Sequence, residues 1–188
     1  MGDVRFTGNW NSVNAHTVPK WYEDCKFGIF IHWGIYSVPA FAPHTWELGE
    51  VDSKEWFADN PYAEWYYNSL NIGKGPTYKH QIEKYGKDFK YEDFIPMWKA
   101  ENWDPKQWAE IFKEAGAEYV VLTTKHHDGY TMWPSKYGEL GVKQKLNGRD
   151  IVKEFVNACH ENDIKVGLYF SPPDWYFDRD YKNWDYSN

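Results

Sequence analysis

Between Asp104 and Ser171 the chain alternates helix-like with strand-like segments, and no other feature restricts its fold as much. Asp104 suits an N-cap, Pro105 the first helical position and Gln107 the far side of a capping box. Trp108, Ile111, Phe112 and Ala115 recur at i, i+3, i+4 and i+7, the period of one buried helix face, and Gly116 supplies a stop. A continuous β-branched, apolar run over 119–124 follows, as in a strand covered on both faces. A second helix is expected over about 150–161, capped by Asp150, with Ile151, Val152, Phe155, Val156 and Cys159 inward. Asn162-Asp163 then turns into a strand at 164–170, and an earlier apolar run at roughly 27–33 is the first strand. This order predicts an α/β chain built on a parallel sheet.

The connections are unequal. Turns leading into the strands (116–118 and 162–163) are short, whereas the segments leaving them (34 onward, 125–149 and 171 onward) are long. Long loops on one face only are the mark of a (β/α)8, TIM-like barrel whose site lies on that face. Residues 1–26 form a lead-in, with Pro19 starting a short helix through Cys25. Residues 34–103 make a long excursion with short helices near 53–58 and 61–70, and a loop region of that size is usually functional. No linker divides the chain, so 1–188 reads as one domain.

Each strand ends in polar chemistry. The run from Tyr119 leads to His126, His127, Asp128 and Gly129; that from Phe27 to His32 and Trp33; that from Lys165 to Tyr169 and Ser171. Imidazole, indole and phenol delivered to one rim fit a neutral, polyhydroxylated ligand. Consecutive residues of a strand point to opposite faces, so His126 and His127 can share a site only where the strand opens into loop, which Asp128-Gly129 permits. Hydrogen bonding to ligand hydroxyls is the preferred role of the pair. A purely structural role comes second, and zinc held by His126, His127 and His32 last, because no HxxxH, HxH or cysteine spacing supports it.

Plainer roles stand beside these. His32 could be a satisfied polar residue at a barrel mouth. Tyr169 faces away from Leu168 and Phe170 and could belong to a core. Glu64 and Trp65 could line a surface helix, and Trp33 and Trp46 could lie off the site. The 12 Trp, 15 Tyr and 11 Phe weigh on the side of a carbohydrate, because Trp46, Trp56, Trp65, Tyr66, Tyr67, Trp133, Trp175 and Tyr176 fall in segments of loop character. Such rings suit the C–H faces of sugars.

Other classes recede. Net charge is 21 − 28 = −7 without a basic run, which argues against nucleic acid and anionic membrane surfaces. No stretch approaches the roughly 18 apolar residues of a membrane span. The amino terminus shows no apolar leader core, giving a cytoplasmic default. Cys25 and Cys159 lack CxxC spacing and are expected free. GxSxG, GxGxxG and P-loop patterns are missing, so neither a nucleophile elbow nor a nucleotide cofactor is indicated, and no cofactor is expected.

Four segments, Lys26–Pro39, Asn60–Tyr66, Thr123–Tyr130 and Gly167–Ser171, resemble in order and spacing the α-L-fucosidases of glycoside hydrolase family 29. The similarity runs from about residue 18 to 178. The resemblance implies a (β/α)8-like barrel and retaining exo-hydrolysis of terminal α-L-fucose from glycoconjugates. It assigns His32, Glu64, Trp65, His126, His127 and Tyr169 to the fucose, with Tyr169 near the anomeric centre. It also implies that the aspartate nucleophile stands at the end of the next strand and the acid/base later still. On that reading no catalytic carboxylate lies before Asn188, Asp185 matching the nucleophile motif only superficially. The chain would then hold about three of roughly eight barrel strands and would be an inactive fragment. A non-catalytic fucose-binding module derived from this fold is the alternative.

Overall fold

The structure, a computed structural model, describes residues 6–178 and 184–186. Part of the stretch read for a leader (1–5) and Asn183 lie outside the described residues. Helices α1 (Trp10–Asn14) and α2 (Lys20–Asp24) precede strand β1 (Gly28–Ile31). The excursion carries α3 (Ser53–Ala58), α4 (Tyr66–Ile72) and α5 (Gly75–Tyr85), with 3₁₀ turns at Ile35–Ser37, Ala63–Trp65 and Tyr91–Met97. Then come α6 (Pro105–Glu114), β2 (Tyr119–Lys125), α7 (Val142–Lys145), α8 (Ile151–Glu161) and β3 (Lys165–Phe170).

The three strands form one parallel sheet in chain order, β1-β2-β3, with Gly28 opposite Tyr119 and Tyr119 opposite Lys165. The expected caps act as such: Asp104 accepts from the Gln107 N–H and Asp150 from the Lys153 N–H, each about 3 Å. Val120 and Leu122 of β2 are fully buried, in one core with Ala109 of α6 and Ile151, Phe155 and Cys159 of α8. The two outer strands behave differently. Phe30 is 52% exposed on β1, and Leu168 and Phe170 are 52% and 53% exposed on β3. Both outer strands thus carry half-exposed apolar side chains. Both cysteines are free, and no helix among the described residues is long and apolar enough to cross a membrane.

Helix α5 departs from expectation. Helices in the excursion are expected only near 53–58 and 61–70; here Pro76 sits where a helix start tolerates proline, and Gly75 has φ +87°. The apolar residues of α5, Tyr78, Ile82 and Tyr85, recur at i, i+4 and i+7 but are few, and the helix signal they give is weak. Tertiary contacts make up the difference. Tyr66 Oη donates to Gln81 Oε1 at 2.7 Å, and Gln81 Nε2 donates to the Phe89 carbonyl at 2.9 Å. The excursion is therefore folded structure laid over the carboxyl ends of the strands, not open loop.

Candidate functional site

All three strands release their polar residues at one end. Thr123 Oγ1 donates to the Ile31 carbonyl at 2.9 Å and Thr124 Oγ1 to the Tyr169 carbonyl at 2.8 Å, binding the strand ends together. The ladder becomes irregular between Thr123 and Lys125, so Lys125 falls opposite Phe170 and the following histidines leave the sheet. The ring of His32 lies 5.2 Å from that of His126 and 5.8 Å from that of Tyr169; His126 lies 4.2 Å from His127 and 5.9 Å from Tyr169. His127 then meets Trp65 at 5.5 Å and Trp175 at 4.9 Å, and these two indoles meet each other at 5.1 Å.

Polar contacts fix the rings. His127 Nδ1 is hydrogen-bonded to Ser171 Oγ, and its carbonyl accepts from the Trp175 N–H at 2.6 Å. Asp128, buried, accepts from Tyr91 Oη at 2.7 Å and from the Tyr130 N–H at 3.3 Å. The excursion is tied to the histidine loop through that phenol. Gly129, at φ +83°, lies so close to Asp174 that an added Cβ would stand 2.6 Å from the carboxylate. No side chain larger than hydrogen fits there without moving the loop.

Burial sets the charge states. It lowers His126 to about 3, helped by His127, His32 and Lys125, and lowers His127 to about 4, helped by Lys125 and His32. Both imidazoles are neutral at pH 7, each with one donor and one acceptor nitrogen. Burial also raises Asp128 to about 6, against the opposing pull of the Tyr91 and Tyr130 hydrogen bonds and of Lys125. Tyr36, whose ring is 5.8 Å from His126, is raised by burial and by the charges of Asp128 and Glu64.

These shifts have a sign. The depressed histidines contribute stability that is present above their unfolded value of 6.5 and lost as pH falls toward 4 and 3. Asp128, raised from 3.8, contributes stability present below 3.8 and lost as pH rises through about 6. Between pH 6 and 4.5 the unfolded chain holds up to about two extra histidine protons against about one extra at folded Asp128. Acidification therefore destabilises the fold, and Asp128→Asn, which removes the opposing uptake, should make the decline about twice as steep. Urea midpoints measured across that range test this; equal slopes would show that Asp128 does not titrate there.

A family model for alpha-L-fucosidase matches residues 2–188. The chain belongs to the alpha-L-fucosidase family. It is 39% identical over 175 residues to human plasma alpha-L-fucosidase, covering 92% of this chain and 33% of that protein. Among solved structures, an alpha-L-fucosidase at 49% identity has a TM-score of 0.86, over 92% of this chain and 39% of that one. Thermotoga maritima alpha-fucosidase in complex with fucose is 46% identical with a TM-score of 0.81, again over 92% and 39%. The chain thus spans about a third of the length of the curated fucosidases it matches.

Of the six positions that resemblance to the fucosidase family assigns to the sugar, five rings form the continuous cluster described above. Glu64 lies in the half-buried 3₁₀ turn Ala63–Trp65, where its charge acts on the Tyr36 phenol. Trp33 and Trp46 are not brought in. Trp33 turns away to pack on Trp98, Trp103 and Trp108 at 4.8–5.4 Å, and Trp46 is 44% exposed without a ring partner in the cluster. Among the described residues no group of three His, Cys, Asp or Glu side chains is placed to hold a metal ion. Tyr36, Tyr91 and Lys125 are site neighbours that sequence reasoning missed. Lys125 alone left a signal: a cation at the end of an apolar strand needs a partner.

Proposed function

We propose that this chain is the sugar-binding portion of a retaining exo-α-L-fucosidase, and that its sheet is the first three strands of a (β/α)8 barrel forming a single catalytic domain. The observation carrying this reading is the convergence of His32, His126, His127, Tyr169 and Trp65 at the carboxyl ends of parallel strands, where barrel enzymes hold their substrates. Neutral imidazoles can donate to or accept from ring hydroxyls, and Glu64 can accept from them. The 6-methyl group of fucose calls for an apolar wall, which Trp65 and Trp175 supply. The substrates would be terminal α-L-fucosides of fucosylated glycans.

Retention needs two carboxyl groups about 5–5.5 Å apart, one of them a free nucleophile. Asp128 is buried and occupied by Tyr91, and Asp174 is paired with Lys125, so neither is suited to attack. We assign nucleophile and acid/base to strands beyond the 188 residues. The test is a chimera in which residues 1–188 replace the matching segment of the Thermotoga maritima enzyme. It should release nitrophenol from an aryl α-L-fucoside, whereas the 188-residue chain alone should not. A folded chimera without turnover, together with fucose binding by the 188-residue chain, would instead make this a binding module.

A further inference from the structure

Lys125 is 5% exposed, and a buried cation persists only where its hydrogens are matched. Its ammonium donates to the Ser171 carbonyl at 2.9 Å and the Pro173 carbonyl at 3.0 Å, and lies 3.3 Å from Asp174 Oδ2. Three hydrogens meet three acceptors, and all three belong to the segment leaving β3. The Phe170 ring, 5.2 Å away, closes a further side. Asp174 uses its other oxygen to accept from the Phe177 N–H at 2.9 Å, shaping the turn that carries Trp175.

This segment has no sheet partner to hold it once β3 ends at Phe170. Yet it supplies Ser171 to the His127 ring and Trp175 to the wall between His127 and Trp65. Its backbone meets the histidine loop at Ser171 N–H to the Lys125 carbonyl, 3.0 Å, and at Trp175 N–H to the His127 carbonyl. We propose that Lys125 is a positioning residue of the sugar site, whose ammonium clasps residues 171–174 and thereby sets the His127 imidazole and the Trp175 indole. The inference rests on reading the ring cluster as that site, but its test does not use fucosidase activity, so either can fail alone.

The experiment compares the folded chimera carrying residues 1–188 with its Lys125→Met form, which keeps the stem and removes the ammonium. Amide hydrogen exchange, read by mass spectrometry at micromolar concentration, should quicken about tenfold over 171–178 while 119–123 is unchanged, because hydrogen bonds to a charged group are lost. Carbethoxylation of His127, which requires neutral imidazole, should show its half-point moved upward, since burial still holds the ring down but the nearby cation no longer does. No change in either readout, or equal acceleration in both segments, would overturn the proposal. Should Lys125→Met fail to fold, Asp174→Asn gives the decision. It leaves both carbonyl contacts in place and should quicken exchange over 171–178 about threefold, and an unaltered segment would reject the clasp.

Discussion

Replacing His127 by alanine in the active chimera should lower kcat/KM by roughly 30- to 1,000-fold, which corresponds to about 2–4 kcal/mol of lost transition-state stabilisation. The imidazole is neutral at working pH and Ser171 engages its Nδ1, so Nε2 is the nitrogen left for a sugar hydroxyl. A site built to hydrogen-bond a hydroxyl leaves buried groups unmatched when one partner is deleted, and discriminates strongly for that reason. His32→Ala should act in the same direction, because its ring completes the contact between His126 and Tyr169. Parental kcat/KM in both variants would remove these histidines from the sugar.

The isolated 188-residue chain should elute from size exclusion well above its 22.4 kDa and give a broad thermal transition by near-ultraviolet circular dichroism. Phe30 stands half-exposed on one face of the sheet, and Leu168 and Phe170 on the other side of β3. Strands β1 and β3 each present an open edge, and a flat apolar edge is a template for pairing with another chain. A charge of −7 opposes association without covering either face. A monodisperse monomer with one sharp, cooperative transition would sink the barrel reading and favour a self-sufficient module.

The sheet and the helices packed on it were legible because period and caps agreed. Asp104 and Asp150 cap as their positions imply, and β2 ends one residue beyond the expected 124. The capping box was only half right: Gln107 gives its backbone N–H to Asp104, and no reciprocal side-chain bond forms. The excursion was hard to read because its order comes from long-range contacts such as Tyr91 to Asp128, 37 residues apart, which no local pattern encodes. The histidines were visible as strand-end residues. Their neutral state was not, since it depends on burial beneath segments distant in sequence.

Trp33 follows His32 by one peptide step, yet the two rings belong to different bodies. The histidine faces the imidazole and phenol cluster; the indole is wedged among Trp98, Trp103 and Trp108. Four of the heaviest side chains therefore act as a mount for a single exposed ring. An imidazole that must meet a hydroxyl gains its steadiness from the packing that fixes the adjoining backbone. Four of the chain's 12 tryptophans thus stand outside the ring cluster, packed behind the residue that reaches for a sugar.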